Sequence, residues 1–384
     1  MSLDFVNFVR NLYKTNELIP LHAPKFLGRE KEFILDTINS TFVSSIGTYV
    51  DRFESNISSY TGSKYAIATV NGTAALHTAL YLSGVKAGDL VITQSLTFVA
   101  TCNAIHMLGA SPVLIDVDID TLGLSPTSLS TWLEENAYID NQGVCKYIKT
   151  NQHIKAVVPM HTFGHPVKLD ELIRIADQWK LDLIEDAAES FGSFYKSKHT
   201  GLKGRFAILS FNGNKIITTG GGGMLLCKSE HDAKRAKHVT TTAKVPHTFE
   251  FFHNEHGFNY RMPNLNAALG CAQFEMIQNY LKAKRDLSKI YSNYFQLRGI
   301  NFFKEPEYCK SNYWLNTISL DSKKTRNEWL KVTNAHKIMT RPAWKLMHHL
   351  PMFAKCLRGN LQTSELIEET YINLPSSPIL DGNL

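Results

Sequence analysis

Three short stretches of the sequence carry polar residues that could act together. Lys215 lies in "SFNGNKIITTGGGG", Asp186 ends the apolar run "LIED", and "NGTAALHTAL" places Gly72 and Thr73 at the start of a helical pattern. A phosphate-binding loop of a nucleotide hydrolase needs its glycines before the lysine, and Ser or Thr directly after it. Here Ile216 follows Lys215 and the glycines come later. The order of the residues therefore excludes that loop.

The same residues suit a different ligand, pyridoxal phosphate (PLP), which needs a lysine, an aspartate and a phosphate site. Lys215 would form the Schiff base, and Asp186 would pair with the pyridine nitrogen and keep it protonated. Backbone amides at a helix N-terminus bind anions, so Gly72 and Thr73 would hold the phosphate together with Ser210. The combination predicts PLP as the cofactor.

Each of these residues also has a plainer explanation when it is taken alone. Asp186 could cap a helix, because two alanines follow it, and Thr73 could cap the helix that begins beside it. Phe98, which follows the strand "VITQS", could stack on the cofactor ring or belong to the core. The glycine run after Lys215 predicts a close approach of the backbone to something bound.

The elements that must position these residues are strands and helices that alternate between Tyr65 and about Leu226. Alternation of this kind predicts an α/β fold, with a mostly parallel sheet between helices and a ligand outside the carboxyl ends of the strands. The predicted strands are "YAIATV", "LVITQS", "PVLIDVD", "IKAVVPMH", "LDLIEDAAE", "FAILSF" and "GGMLLC".

The pattern changes after about residue 245, where a long helical stretch and shorter mixed segments follow. We therefore predict a large PLP-binding domain over residues 26–245 and a small C-terminal α+β domain over residues 246–384. An N-terminal arm, residues 1–25, precedes them. Phe5, Val9 and Leu12 fall at helical spacing in this arm, which predicts an amphipathic helix that packs on the body or on a partner subunit.

The composition excludes several classes of protein. The 384 residues are 43% hydrophobic and 20% charged, and the net charge of +6 is spread along the chain without a basic stripe, so we expect no nucleic-acid partner. Six scattered cysteines predict neither a metal site nor disulfides, and fit a reducing compartment. Polar residues interrupt every apolar stretch, which predicts a cytoplasmic protein without a signal peptide or a membrane span.

Many collinear segments of the chain resemble the DegT/StrS-type sugar aminotransferases. That family has the aspartate aminotransferase-like fold (PLP fold type I). The resemblance implies transfer of an amino group from L-glutamate to a keto carbon of a nucleotide-linked sugar, by a homodimer whose active sites lie at the subunit interface. The segments include "IPLHAPKFLGREKEFILDTI", "SLTFVATCNAI", "IEDAAESFGS", "LSFNGNKIITTGGGGML" and "HGFNYRMPNLNAALGCAQFE".

The resemblance also assigns roles to single residues. Lys215 matches the Schiff-base lysine and Asp186 the partner of the ring nitrogen, while Asn259 matches an asparagine that reaches the phosphate in the neighbouring subunit. Four further residues are implied near the cofactor or substrate: His161, Arg261, Trp314 and His348. Each of these four also has a structural explanation, as a buried histidine, an ion pair or packing in the small domain.

Two positions depart from the family pattern. Glu189 stands where glutamine is common, facing the phenolic oxygen of the cofactor, so we expect this carboxyl to be protonated or turned away. Arg205 follows Gly204 where the family commonly has aspartate.

The segments "VSSIGTYVDRFE", "NYWLNT" and "TRPAWKLMHHLPMF" resemble the branch found with legionaminic acid synthesis. That branch aminates C4 of a UDP-linked 2-acetamido-2,6-dideoxy-4-keto-hexose, and it implies a role in nonulosonic acid or lipopolysaccharide/O-antigen biosynthesis. The alternatives are C4 amination of a GDP- or dTDP-linked sugar (perosamine-type), C3 amination, and a non-catalytic regulator with a PLP fold. A sugar dehydratase of the same fold would carry histidine at position 215, so Lys215 argues against it.

Overall fold

The structure, a computed structural model, describes residues 1–380. Its twelve α-helices, α1 to α12 in chain order, are Ser2–Tyr13, Glu30–Asn39, Thr48–Thr61, Gly72–Leu82, Val99–Met107, Pro126–Asn136, Leu169–Gln178, Glu230–Thr240, Asn264–Glu275, Ile277–Gln296, Lys323–Ala335 and Gln362–Thr370. Its strands, β1 to β18, are Tyr65–Thr69, Leu90–Gln94, Ser111–Ile115, Ala137–Ile139, Cys145–Tyr147, Ile154–Val158, Asp182–Asp186, Phe194–Tyr195, Lys198–His199, Phe206–Ser210, Gly223–Cys227, Lys244–Val245, Phe252–His253, Asn301–Phe302, Cys309–Lys310, Asn316–Ser319, Arg341–Pro342 and Tyr371–Leu374.

The seven strands expected from the sequence form one sheet in the order β1-β11-β10-β7-β6-β2-β3. The five strands from β10 to β3 are parallel. β11 runs antiparallel to both of its neighbours, β1 and β10. β1 therefore points the same way as the parallel strands, and the carboxyl ends of β1, β2, β7 and β10 meet at one edge.

Helices cover both faces of this sheet, as expected for buried parallel strands. One face packs on α4, α5 and α8 through small side chains such as Ala75, Ala104 and Ala236. The other face packs on α6 and α7 through larger ones such as Leu133 and Leu172. The prediction of a mostly parallel sheet between helices is confirmed.

The N-terminal helix α1 packs on the C-terminal part of the chain. Phe5 and Val9 are fully buried in a cluster with residues of α10, α11 and the second sheet, whose order is β14-β16-β18-β17. The Phe5 ring centroid lies 5.5 Å from that of Phe295 and 5.4 Å from that of Trp329. The amphipathic helix expected in the arm therefore exists and packs on the body.

The long helical stretch after residue 264 is two helices, because the chain turns at Met276 (φ −98°, ψ 1°) between α9 and α10. The buried face of α9, with Ala268 and Cys271, packs in the same cluster as Tyr49 and Phe53 of α3. The domain boundary predicted at about residue 246 stays a prediction. In residues 1–380, no helix has the length and apolar character needed to cross a bilayer.

Candidate active site

A cavity of about 650 Å³ opens at the carboxyl edge of the large sheet and brings most of the expected site residues together. The predicted residues on its wall are Gly72, Thr73, Phe98, Asp186, Glu189, Ser210, Lys215 and Trp314. They come from β7, β10, the starts of α4 and α5, and the loops after β10 and β15. Ligands of α/β sheets bind at this edge.

Asp186 ends β7 and points its carboxylate into the cavity wall. Asp186 is 4% exposed. Its Oδ2 accepts a hydrogen bond of 2.8 Å from Thr101 Oγ1, and its Oδ1 accepts one of 3.2 Å from the amide of Ala188. Burial raises the pKa of Asp186. A turn follows the residue, so the alternative of a helix cap is wrong. A buried carboxylate with so few donors favours a cation beside it.

Lys215 lies between a carboxylate and an aromatic face. Its Nζ is 3.1 Å from Glu189 Oε1 and 3.9 Å from the ring centroid of Trp314. The indole nitrogen of Trp314 donates to the carbonyl of Asn214 at 2.7 Å, which fixes the ring beside the lysine. Glu189 Oε2 accepts a bond of 2.9 Å from the amide of Phe163. Glu189 is therefore directed at Lys215 rather than turned away.

Burial raises the pKa of Glu189 to about 7, although the charge of Lys215 opposes the shift. Whether this carboxyl is protonated beside the cofactor's phenolic oxygen stays a prediction.

The N-terminus of α4 lies next to Ser210, and its backbone amides could hold an anion there. Asn71, not Thr73, caps this helix, because its Oδ1 accepts a bond of 2.7 Å from the amide of Ala74. The capping alternative for Thr73 is therefore wrong, and its side chain lines the cavity. A Cβ built at Gly72 would lie 3.1 Å from Ser210 Cβ, so the two residues face each other closely and a larger residue at position 72 would require Ser210 to shift.

The glycine run positions the start of α4 and does not line the cavity itself. Gly223 begins β11 between β1 and β10, and a Cβ at this position would stand 2.4 Å from the backbone of Asn71. The expectation that the run approaches something bound is wrong. It approaches the chain's own backbone, because only glycine lets β11 pass so close to the start of α4.

Asn259 and Arg261 lie away from this cavity. The guanidinium of Arg261 donates to Asn259 Oδ1 from Nε at 3.1 Å and from Nη2 at 3.0 Å, and Asn259 is exposed. Neither residue lines the cavity of its own chain. Arg261 thus orients Asn259 instead of forming the ion pair that the sequence suggested as an alternative.

His161 and His348 also lie outside the cavity wall. His161 is fully buried, with Nδ1 accepting from the amide of Val167 at 3.2 Å and Nε2 donating to Glu185 Oε2 at 3.0 Å. This matches the alternative of a satisfied core histidine. His348 Nδ1 bonds Ser95 Oγ at 2.8 Å.

One group of possible metal ligands exists in the described chain, formed by His348, His349 and Glu365. Two of the three are exposed, and His349 Nδ1 is already paired with Glu368 Oε2 at 2.8 Å. These groups make side-chain pairs on the surface of the C-terminal part.

Arg205, the second departure from the family pattern, forms two ion pairs. Its Nη1 lies 2.8 Å from Asp182 Oδ2 and its Nη2 lies 2.9 Å from Asp232 Oδ1. These pairs join β7, β10 and α8 at the edge of the sheet opposite the cavity. The departure is therefore structural.

Sequence reasoning missed other cavity residues. Thr101 lies in the first turn of α5, and nothing in the sequence singles it out as the hydrogen-bond donor to Asp186. Arg341, Trp344 and Lys345 also line the wall. They belong to the quoted segment "TRPAWKLMHHLPMF", where attention to charged and aromatic residues would have found them.

Comparisons with known proteins show the family of this chain. The model of the DegT/DnrJ/EryC1/StrS aminotransferase family matches residues 27–383. EpsN of Bacillus subtilis (strain 168), whose name places it among pyridoxal phosphate-dependent aminotransferases, is 39% identical over 364 residues, which cover 93% of this chain and 90% of EpsN. GDP-perosamine synthase of Escherichia coli O157:H7 is 33% identical over 364 residues, 95% of this chain and 94% of the synthase. The crystal structure of the aminotransferase TlmJ from Streptoalloteichus hindustanus has a TM-score of 0.84 at 23% identity and covers 94% of this chain and 93% of TlmJ.

The fold and the site define a pyridoxal-phosphate-dependent aminotransferase of fold type I. The chain belongs to the DegT/DnrJ/EryC1/StrS aminotransferase family. The predictions of family, fold, enzyme class and cofactor are thereby confirmed, whereas the legionaminic-type branch and the residue roles stay predictions.

Proposed function

We propose that this enzyme transfers the amino group of L-glutamate to the 4-keto carbon of a nucleotide-linked 6-deoxy-hexulose. The observation that carries the proposal is the convergence of a lysine, a buried aspartate and the start of α4 in one cavity. In this proposal Lys215 holds the cofactor covalently, Asp186 pairs with its ring nitrogen, and Gly72, Thr73 and Ser210 hold its phosphate.

The residues present fit this cofactor. The buried carboxylate of Asp186 has Thr101 as its only side-chain donor among the described residues, and a cationic ring nitrogen would stabilise its charge. The start of α4 supplies amides without intrahelical acceptors, which suits a phosphate. When bound, the cofactor supplies an electron sink for the substrate carbon that loses its proton.

The chain's own groups then carry the proton. Lys215 Nζ takes a proton from the α-carbon of the amino donor, a step that requires the free amine. In the second half of the reaction it delivers a proton to the sugar carbon that receives the amino group. Trp314 and Phe98 flank this region as apolar walls, and Phe98 is half exposed at the cavity mouth. The substrate is thus bound in a cavity that shields the proton from bulk water.

For the sugar, we propose a UDP-linked 2-acetamido-2,6-dideoxy-4-keto-hexose, used in nonulosonic acid or other cell-surface glycan synthesis in the cytoplasm. The support is the resemblance of three segments of the chain to the legionaminic-type branch. Arg341 and Lys345, on the cavity wall, offer positive charge for a diphosphate. A second candidate is a GDP-linked 4-keto sugar, favoured by the relatives named GDP-perosamine synthase, which are 32% to 33% identical.

We also propose that the enzyme is a homodimer in which Asn259 serves the partner's cavity. The exposed position of Asn259, outside its own cavity, supports this arrangement. Exposed apolar side chains near the same segment, among them Phe249 and Phe251, would be covered in a dimer.

The first experiment is the visible absorption spectrum of the purified protein before and after L-glutamate, with Lys215→Ala alongside. A yellow band that bleaches with glutamate, and that is absent from the variant, is expected. A band unaffected by glutamate would contradict the donor, and an unchanged band in Lys215→Ala would contradict the role of that lysine. A panel of 4-keto nucleotide sugars, with UDP, GDP and dTDP as the nucleotide, then identifies the acceptor by return of the yellow band.

A further inference from the structure

A second cluster of polar side chains lies in the C-terminal part of the chain, outside the cavity wall. His348 and His349 belong to a short 3-10 helix, Met347–His349, and Glu365 lies in the first turn of α12. One possible ligand atom from each of the three residues lies within 4.8 Å of the others. Two imidazoles and one carboxylate form a ligand set that zinc and related divalent metals use in proteins.

His348 is the member of this cluster that points most clearly to a ligand. Its side chain is 6% exposed, yet Nε2 has no hydrogen-bond partner among the residues that the structure describes. A buried polar atom without a partner lowers stability, and such atoms are rare in native proteins. A ligand bound at Nε2 would remove this cost.

A carboxylate faces that nitrogen at a distance that suits a shared metal ion better than a hydrogen bond. His348 Nε2 and Glu365 Oε1 are 3.5 Å apart. Most N–H···O bonds are shorter, at about 2.7–3.2 Å. A tetrahedral ion with ligand bonds of about 2.0–2.2 Å separates its ligand atoms by roughly 3.3–3.6 Å. The gap is therefore the one that two ligands of the same ion would leave.

The Nδ1 atom of each histidine has a partner of the kind that orients metal-binding histidines. His348 Nδ1 lies 2.8 Å from the hydroxyl of Ser95, which is fully buried. His349 Nδ1 lies 2.8 Å from Glu368 Oε2. Metal-binding histidines usually hold their second ring nitrogen in a hydrogen bond, often to a carboxylate, which fixes the tautomer and the ring. In both residues Nε2 is then the nitrogen left for a metal.

Glu365 differs from the other glutamates of α12 in its partners. Glu368 Oε1 lies 2.9 Å from Lys345 Nζ, and Glu369 Oε1 lies 3.2 Å from Lys323 Nζ. Within residues 1–380, Glu365 forms no ion pair with a lysine or an arginine, and its charged neighbour is the imidazole of His348. Its carboxylate is therefore available to a metal cation.

We propose that His348, His349 and Glu365 bind a divalent transition-metal ion of the zinc type, with a fourth position left to water. Trp344 and Lys345, shortly before these histidines, line the active-site cavity. The bound ion would therefore fasten the segment that forms this part of the cavity wall to α12. The metal site does not depend on which sugar the enzyme uses.

The test measures zinc binding by the purified holoenzyme. The full chain is freed of metals with a chelator, dialysed and titrated with Zn²⁺ alone by calorimetry, and bound zinc is counted by elemental analysis. His349→Ala and Glu365→Gln each remove one ligand at an exposed position, so both variants should fold. Glu369→Gln is a matched control, because Glu369 lies one turn further along α12 and its side chain is 51% exposed, against 54% for Glu365.

We expect one zinc ion per chain in the wild type and in Glu369→Gln. The affinity should fall at least tenfold in His349→Ala and Glu365→Gln, since loss of a residue that only orients a metal ligand already costs about 10–100-fold. No zinc bound by the wild type would overturn the proposal. So would equal affinities in the wild type and either ligand variant, because the ion would then be an adventitious one bound elsewhere. Neither result bears on the yellow band or its response to glutamate, so the proposed function is tested separately.

Discussion

Two buried carboxylate sites stand on opposite faces of β7, and they differ in how completely their charges are satisfied. Glu185 is fully buried and accepts bonds from the amides of Gly201, Lys203 and Gly204, at 2.7 to 2.8 Å, and from His161. Burial alone would raise the pKa of Glu185, but these donors lower it below its ordinary value.

On the cavity side, Asp186 and Glu189 are almost as buried but have fewer donors. The pKa of each is raised, and that of Glu189 reaches about 7. The comparison shows that similarly buried carboxylates can have pKa values shifted in opposite directions. The number of donors accounts for the difference, because a carboxylate without enough donors retains an attraction for a ligand or a proton.

The largest effect is expected from a matched pair of neighbouring substitutions, Asp186→Asn and Glu185→Gln. Asp186→Asn removes the charge that would pair with the cofactor ring, and turnover should fall on the order of 10²–10³-fold, as when one electrostatic contact to a transition state is lost. The unfolding free energy of the cofactor-free protein should change little. Steady-state kinetics measure the turnover, and urea unfolding measures the unfolding free energy. A loss of unfolding free energy in Asp186→Asn as large as that in Glu185→Gln would contradict the distinction between the two carboxylates.

Glu185→Gln should act in the opposite way. The amide group of glutamine would face backbone donors that have no other acceptor, so the unfolding free energy should fall by roughly 2–5 kcal/mol. The variant that folds should retain most of its rate per folded molecule. Urea unfolding gives the unfolding free energy. Dividing the measured rate by the number of active sites counted from the yellow band gives the rate per folded molecule.

The third prediction concerns pH. Burial raises the pKa of Glu189 from 4.5 to about 7, so the folded protein binds more protons than the unfolded chain between those values. The unfolding free energy contributed by this residue therefore falls as pH rises through that window. Glu189→Gln lacks this slope, so its stability relative to the wild type should increase with pH up to about 7 and then level off. Urea unfolding at several pH values gives the difference, and a flat difference would contradict the assignment.

Glu185 should show the reverse slope, since its pKa is lowered in the folded state. Its contribution to stability is present above the ordinary pKa of glutamate and is lost as pH falls through the folded value. The same pH series with Glu185→Gln should therefore give a variant whose stability deficit shrinks in acid.

The smallest effect is expected from Thr101→Val, which removes the hydroxyl that donates to Asp186. A bond of this kind contributes about 1 kcal/mol, so the affinity for pyridoxal phosphate should change by roughly tenfold or less. Thr78→Val is a matched control, because Thr78 is equally buried but donates to a helix carbonyl of α4. Equal effects of the two variants on cofactor affinity would show that Thr101 does not act through Asp186.

The sequence predicted the parts of the molecule that depend on local pattern. The seven strands of the large sheet were found from apolar runs, and residues at the ends of three strands gave the centre of the site. The residues at the strand ends could be expected to meet because the carboxyl ends of parallel strands share one edge. Order along the chain is therefore enough to bring Asp186 and Ser210 together.

What the sequence could not give depends on contacts between distant segments. The passage of Gly223 beside the start of α4 requires the pairing of β11 with β1. The contact of Trp314 with Lys215 joins residues from distant segments of the chain. Periodicity reports which face of an element is buried, but not which side chain it meets.

The packing of α1 has a consequence for the order of folding during synthesis. Phe5 is made long before its partners Tyr291, Phe295 and Trp329. The apolar side of this helix must therefore remain uncovered until the ribosome has made α10 and α11. Chaperones that bind exposed apolar helices would meet this segment for longer than any part of the central sheet, and its docking would be a late, long-range step of folding.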